Sequence, residues 1–291
     1  MKLVSFLVAF AIAITPLTSW ADEPQGTLKR IIDSRQIRLG YLKDLSPFSF
    51  AGADGRPRGY SIELCHRVVS GIRNNYGVAV LDIQWVEVTS SNRFQRVADG
   101  TVDLECGASA ISLSRLRLVD FSAMIWIDSK TFLVKRGQPL RTQADLAGKK
   151  LAVVEGTSTE KVLRDVLLGQ VLGGGPVTTE VVVVKDRQEG VDALVQGSVH
   201  AFAADRMVLA GLARATPDPG QLALADFQFA YEPYGLPLRR NEADFRFAVN
   251  QVLAGLYRSG AIKEIAHRWF GDLGPLPPLL DSLYDLNGLR D

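Results

Sequence analysis

Strand and helix patterns alternate along this chain, and the alternation occurs twice. Runs rich in Val, Ile and Leu between Gly and Asp residues predict strands, and apolar residues three or four apart predict helices. The first set has strands at 37–41, 81–88 and 102–106, with helices at 60–74 and from 92. The second set has strands at 151–154, 181–184 and 199–204, with helices at 158–168, 188–196 and 206–213. Because such alternation produces sheets covered by helices, two sets predict an α/β protein with two lobes.

One segment, residues 89–122, combines a helix, a turn, a buried strand and a loop that carries arginines. Asp99-Gly100 ends the helix, and the strand at 102–106 follows. In open α/β sheets, ligands bind where the chain leaves a strand. Arg93 and Arg115 flank that point, and a guanidinium grips a carboxylate through two parallel hydrogen bonds. The segment therefore predicts a carboxylate-recognition site.

The same segment resembles the solute-binding proteins of polar amino-acid ABC importers, and in particular the periplasmic glutamate/aspartate-binding branch. The resemblance is carried by SSNR at 90–93, DGTVDLECG at 99–107 and SRLRLVDFS at 114–122, and it extends from about Leu28 to Gly271. It implies the type II periplasmic-binding-protein fold with two crossover strands forming a hinge. It also implies one lobe from 28–131 plus 232–291 and a second from 136–226, with crossings near 131–136 and 226–234.

The resemblance assigns ligand contacts in the first lobe. Arg115 matches the arginine that binds the ligand's α-carboxylate, and Arg93 and Ser90 match contacts to acidic ligands. The alternative for these two is a solvated Arg93 and a Ser90 that caps the following helix. Ala108 and Ala110 stand where relatives carry hydroxyl residues, although their backbone groups can still bond a ligand.

In the second lobe, Thr157 and Ser158 follow a strand and open a helix, where free N–H groups and the helix dipole suit an anion. With Glu160 they also form an ordinary capping box. The resemblance implies that both contact the ligand's carboxylate. It further implies that Asp205 pairs with the ligand's ammonium, the alternative being a helix N-cap. Arg187 stands where the family has a histidine near the ligand's acidic end and could add positive charge there, the alternative being a surface charge at the start of a helix.

The chain departs from the glutamate/aspartate pattern at Leu42, where that branch has an arginine that grips the distal carboxylate. Lys43 is adjacent but should point to the opposite face of an extended chain. Recognition of a carboxylate is retained, while the identity of the ligand stays open between an acidic amino acid and a smaller or differently shaped carboxylate.

The N-terminus predicts export. Residues 1–21 carry one lysine, an apolar run and the sequence Ser19-Trp20-Ala21, which predict a secretory signal peptide cleaved after Ala21. The alternative is an uncleaved anchor, but the run of about 15 residues is shorter than a spanning helix requires. Lys+Arg number 33 and Asp+Glu 32, a balance that argues against a nucleic-acid partner. We expect a periplasmic protein.

The chain has two cysteines, Cys65 and Cys106. In an exported protein they can form a disulfide, and two buried thiols are the alternative. The resemblance implies a bridge from Cys106 to a later cysteine, but none stands at 234–236. Metal binding is not expected, because the histidines are scattered without ligand spacing, at His66, His200 and His267.

The expected function is delivery of an amino acid, acidic by resemblance, to the membrane permease of an ABC importer, by a monomer without catalysis or cofactor. One alternative is a dehydratase acting on cyclohexadienyl acids or arogenate, since the same fold resembles such enzymes. That chemistry needs a general acid or base, for which Glu155 and Asp205 are the candidates. A sensory domain is a third possibility. The Pro- and Leu-rich end from Pro275 is expected to pack as a loop.

Overall fold

The computed structural model describes residues 23–169, 176–273, 276–277 and 279–289. The predicted signal peptide, 1–21, lies outside these residues. The helices are α1 Gly26–Ser34, α2 Tyr60–Asn75, α3 Arg93–Ala98, α4 Ser158–Leu167, α5 Arg187–Gln196, α6 Arg206–Ala215, α7 Ala243–Arg258, α8 Ala261–Phe270 and α9 Leu279–Asn287. The strands are β1 Gln36–Tyr41, β2 Asp44–Leu45, β3 Ser49–Ala51, β4 Pro57–Arg58, β5 Asp82–Glu87, β6 Leu104–Glu105, β7 Ser109–Ala110, β8 Val119–Phe121, β9 Trp126–Lys135, β10 Lys150–Val154, β11 Glu180–Val184, β12 Ala201–Asp205, β13 Leu222–Leu224, β14 Ala230–Gly235 and β15 Pro237–Arg239.

Two larger sheets organise the described residues, and they confirm the predicted α/β class. The first has the order β5-β1-β6-β15-β8, in which β1 runs parallel to both β5 and β6. The second has the order β11-β10-β12-β9-β14-β7, with β10 parallel to β11 and β12. The strands β2, β3 and β4 form a small separate sheet. Strand β15 returns to the first sheet from late in the chain, which makes that half discontinuous in sequence.

The chain passes between the two halves along two neighbouring strands. β9 pairs antiparallel with β14 over its first half, from Trp126 opposite Tyr234 to Lys130 opposite Ala230. Its second half pairs antiparallel with β12, from Lys130 opposite Asp205 to Val134 opposite Ala201. Lys130 therefore lies where the crossing strand leaves one partner and joins the other.

The core divides along the same line. Apolar faces of α2, α7 and α8 bury residues such as Leu64, Val68, Leu253 and Ile265 in one cluster with the buried residues of the first sheet. The second sheet is covered on both faces, with Phe132 and Leu163 in one cluster and Leu133 and Phe202 in the other. Phe132 and Leu133 are successive residues of β9, and their side chains thus face opposite cores, as in any strand with both faces buried.

The expectation of a loop after Pro275 was wrong, because α9 forms there. Leu280, Leu283 and Tyr284 are buried on one side of this helix. The Tyr284 hydroxyl lies 3.0 Å from the Tyr60 hydroxyl, and the Tyr60 hydroxyl donates to the Ile125 carbonyl oxygen at 2.7 Å. The leucine spacing after the prolines is that of one helical face, and tertiary contacts complete it.

The cysteine question is resolved in favour of a bridge. Cys65 of α2 and Cys106, which follows β6, form a disulfide across a sequence separation of 41 residues. The bond ties the helix to the strand end from which the arginine-bearing loop departs.

Over the described part of the chain, no helix is both long enough and apolar enough to span a bilayer.

Candidate functional site

The two halves touch directly at the carboxyl ends of their strands. Arg187 at the start of α5 donates to Asp44 Oδ1 at 3.1 Å through its Nη1, and its backbone N–H donates to Asp44 Oδ2 at 3.1 Å. A Cβ placed on Gly156 would lie 2.9 Å from the Cα of Ser91 and 3.0 Å from the carbonyl oxygen of Ser90. Gly156 has a φ of +70°, which favours glycine and permits this approach. The charged residues described below gather at this junction.

Arg93 is buried, with 5% of its surface exposed. Its Nε donates to the Ser109 hydroxyl at 3.1 Å, and its Nη1 donates to the carbonyl oxygen of Ser90. Burial and the neighbouring charge of Arg115 lower the pKa of Arg93 to about 9, so the guanidinium stays charged at neutral pH. It was predicted as a ligand contact. The structure places its guanidinium beside the carbonyl oxygen of Ser90, which is the atom that approaches Gly156.

Arg115 lies on the loop after β7 and is partly buried. Its Nη1 donates to the Ala110 carbonyl oxygen at 2.8 Å. Its Cζ stands 4.6 Å from the centroid of the Phe94 ring, and the Cζ of Arg93 stands 4.5 Å from the same centroid. Both guanidinium groups therefore lie within cation–π distance of the same ring, and the charge of Arg115 still acts on Arg93.

Glu105 is a buried carboxylate that the sequence interpretation missed. The Ser109 hydroxyl donates to its Oε2 at 2.7 Å, which links it to Arg93 through that serine. Its Oε1 has no hydrogen-bond partner among the described residues. Burial raises the pKa of Glu105, and the charge of Arg93 opposes that rise. The signal was present in the ECG motif, but an acidic residue inside a strand gave no indication of its partners.

Lys130 was also missed, although it is the most connected polar residue of the site. It is fully buried, and its Nζ lies 2.7 Å from Asp205 Oδ1 and 2.9 Å from Glu232 Oε2. The same Nζ donates to the Thr159 hydroxyl at 3.1 Å. Burial opposes its charge, yet the two carboxylates outweigh that effect and raise the pKa of Lys130.

Asp205, predicted as the partner of a ligand's ammonium, is therefore already paired. Burial tends to raise its pKa, but Lys130 prevails and lowers it. Its side chain makes no cap hydrogen bond to α6, although it occupies the N-cap position. Its charge also contributes, after burial, to a raised pKa of the Tyr234 hydroxyl.

The residues at the N-terminus of α4 are engaged within the protein. The Thr157 hydroxyl accepts from the Glu160 N–H at 3.3 Å and donates to the Val154 carbonyl oxygen at 2.7 Å. The Ser158 hydroxyl donates to Glu232 Oε2 at 2.5 Å. A carboxylate thus lies at Ser158, as an anion site would require, but it is the chain's own Glu232.

The other predicted contacts fall in different places. Arg187 is directed at Asp44, and Ser90 offers its carbonyl to Arg93 while Asn92 occupies the N-cap of α3. Ala110 is buried and Ala108 is partly buried. Leu42 is buried, with its backbone N–H and carbonyl both bonded to the Ser49 hydroxyl. The neighbouring Lys43 points outward to Glu87 at 3.0 Å.

Electrostatic influence joins these groups into one site. Burial lowers the pKa of Arg115, and the carboxylates of Glu232, Asp205 and Glu105 oppose that fall. The charge of Arg115 therefore interacts with carboxylates that include Asp205, at the end of β12. Two cationic guanidinium groups near the contact between the halves supply the kind of charge that a small anion would need.

Comparison with known proteins identifies the family of this chain. The sequence model of the bacterial extracellular solute-binding proteins, family 3, matches residues 37–272. An L-glutamate/L-aspartate-binding protein of Pseudomonas aeruginosa is 30% identical over 278 residues, covering 95% of this chain and 89% of that protein. The L-cystine-binding protein TcyJ of Escherichia coli is 26% identical over 271 residues, covering 92% and 94% of the two chains.

A solved structure shares the fold. The ancestral amino acid-binding protein AncCDT-1, described as a precursor of cyclohexadienyl dehydratase, matches with a TM-score of 0.71 and 22% identity. The match covers 84% of this chain and all of that one. It confirms the predicted periplasmic-binding-protein fold. The chain belongs to the bacterial extracellular solute-binding proteins of family 3.

Proposed function

We propose that this protein captures an acidic amino acid in the periplasm and delivers it to the permease of an ABC importer. The observation that carries the proposal is the pair of guanidinium groups, Arg93 and Arg115, which both lie within 4.6 Å of the Phe94 ring centroid. The lobes would be 28–131 plus 232–291 and 136–226. Glutamate and aspartate are the first ligands to test, because relatives that match most of the chain are named for them.

Arg115 is the residue best placed to hold the ligand's carboxylate. Among the described residues, the Arg115 guanidinium donates a hydrogen bond through Nη1 to the Ala110 carbonyl oxygen, and its other N–H groups can bind a ligand. Arg93 is fixed from behind by Ser109 and Ser90, so it supplies charge at a defined position. A charge-assisted pair in a partly dry site is stronger than a neutral hydrogen bond.

Closure of the two lobes around the ligand makes binding tight. A ligand that contacts both halves binds the closed state more tightly and shifts the equilibrium toward it. Micromolar affinity corresponds to about −8 kcal/mol, and a few charge-assisted bonds can provide this after ordering costs are met. The transport step itself belongs to the permease, and we expect the binding protein to act as a monomer after its signal peptide is removed.

Isothermal titration with glutamate and aspartate tests the proposal. The wild-type protein should bind one of them with micromolar or tighter affinity, and Arg115→Ala should raise the Kd by at least about a hundredfold, since it removes a partly buried charged contact. Arg117→Ala is the matched control, because Arg117 lies in the same loop and is exposed. Unchanged affinity in Arg115→Ala would show that the site is placed wrongly.

The enzymatic alternative has one observation in its favour. Burial raises the pKa of Asp128 to about 8, so this carboxyl group carries a proton at neutral pH. It accepts hydrogen bonds from the backbone N–H groups of Met207 and Ser129. Incubation with prephenate and with arogenate, followed by absorbance of an aromatic product, tests this activity. A turnover abolished in Asp128→Asn would favour the enzyme over the receptor.

A further inference from the structure

A lysine inside the site has all three of its ammonium hydrogens engaged by the protein. Lys130 contacts Asp205, Glu232 and Thr159 at 2.7, 2.9 and 3.1 Å, and it is fully buried. An ammonium group has three donors and no acceptor. Lys130 is thus saturated by the chain and has nothing left to offer a ligand.

Lys130 and its three partners come from four different elements that meet where β9 crosses between the halves. Lys130 lies on β9, Asp205 ends β12, Glu232 lies on β14, and Thr159 is in the first turn of α4. Ser158, from the same turn, donates to the Glu232 oxygen that Lys130 contacts. The lysine and Glu232 together place a positive charge at Asp205 and a negative charge at Ser158. A bound amino acid would bring these same two charges.

This internal pairing changes what a ligand must carry. A buried carboxylate without a cation is costly, so a site with an unpaired Asp205 would strongly require an ammonium on its ligand. Here Lys130 already supplies that charge, and Asp205 has only 15% of its side chain exposed. A ligand without an ammonium leaves no carboxylate unpaired, while a ligand with one gains little from a partner that is already occupied.

We infer that Lys130 takes the place of the ligand's α-ammonium, so that the cleft accepts 2-oxo acids and simple dicarboxylic acids as well as the corresponding amino acids. The inference rests on the proposed capture of a carboxylate by Arg115 and specifies which carboxylates are captured. It makes Lys130 a specificity-determining residue of the site.

The first test compares glutamate with 2-oxoglutarate and glutarate, which share its five-carbon dicarboxylate frame but lack the ammonium, by titration calorimetry of the wild-type protein. The two Kd values for glutamate and 2-oxoglutarate should agree within about tenfold, the equivalent of 1.4 kcal/mol, and glutarate should compete for the same site. A glutamate preference above tenfold overturns the inference and leaves the proposed function intact. If none of the three acids binds, the same comparison is made with aspartate, oxaloacetate and succinate; if these do not bind either, the proposed function fails and the inference fails with it.

The second test removes the internal cation. In Lys130→Met, the ligand's ammonium becomes the available partner of Asp205, so the preference for glutamate over 2-oxoglutarate should rise by at least about thirtyfold. Lys130→Arg keeps the charge and should leave the preference near that of the wild type. Near-UV circular dichroism verifies that each variant is folded. An unchanged preference in folded Lys130→Met contradicts the inference, and if that variant does not fold, the wild-type comparison alone decides.

Discussion

The ion pair between Asp44 and Arg187 should hold the two halves together. Its removal should weaken ligand binding even though neither side chain needs to contact the ligand. The two residues are 143 positions apart and lie on opposite sides of the junction. Arg187 was predicted to contact the ligand's acidic end, but here it is bonded to Asp44 twice. Asp44→Asn keeps the shape of the side chain and removes its charge.

The size of the effect follows from distance and burial. Unit charges 3.1 Å apart attract by about 5 kcal/mol at an effective dielectric constant of about 20. Much of this is offset, because closing the cleft removes the Arg187 side chain from water until 7% remains exposed. Since Asp44 keeps 24% exposure, we expect Asp44→Asn to destabilise the closed state by about 1–2 kcal/mol. The apparent Kd should then rise by about five- to thirtyfold, because only the closed fraction binds tightly.

Titration calorimetry measures the affinity, and small-angle scattering measures compactness with and without ligand. Ligand-free Asp44→Asn should have a larger radius of gyration than the wild type. The double variant with Arg187→Gln should lose less than the sum of the single variants, since both act on one pair. Lys43→Gln is the matched control, because it breaks an exposed pair with Glu87 inside one half. Wild-type affinity and wild-type compactness in Asp44→Asn would refute the reasoning.

Two further predictions concern stability. Replacing Cys65 and Cys106 by alanine opens a loop of 41 residues and should lower the free energy of unfolding by about 4 kcal/mol. Differential scanning fluorimetry should show this as a fall in Tm of roughly 8–16 °C. Alkylation of both cysteines in denatured, unreduced wild-type protein would contradict the bridge. Asp128 has a pKa raised by burial to about 8, so it carries a proton in the folded state that the unfolded chain has released. The contribution of Asp128 to the free energy of unfolding is therefore complete below about pH 4, and it is lost as the pH rises toward 8. Asp128→Asn should flatten that part of the Tm-against-pH curve, and an unchanged slope would show that Asp128 titrates normally.

The wider consequence concerns how specificity varies among binding proteins of one fold. If Arg115 holds the ligand's carboxylate as proposed, other charged groups of the pocket are already paired within the protein. Leu42 stands where the resemblance implies an arginine, and Glu232 is bonded to Lys130 and Ser158. The identity of the ligand would then depend on which charges the protein has already balanced.

Local patterns in the sequence were sufficient to predict the class of fold and the segment 89–122, which carries Arg93 at the start of a helix and Arg115 in a loop. Helices such as Tyr60–Asn75 and strands such as Gln36–Tyr41 follow the predicted ranges within a residue or two. Their periodicity is set by neighbours three to four or two positions away, and those neighbours are visible in the sequence. The order of these elements along the chain then limits the sheets that can form.

The partners of the charged residues were decided only by the tertiary structure. Lys130 meets Asp205 across 75 positions, and Arg187 meets Asp44 across 143. The sequence is compatible with a paired or a free Cys65, and only the packing of α2 beside the end of β6 places it next to Cys106. A side chain's charge is a property of its own residue, but whether that charge is available to a ligand depends on which distant groups burial brings within about 3 Å.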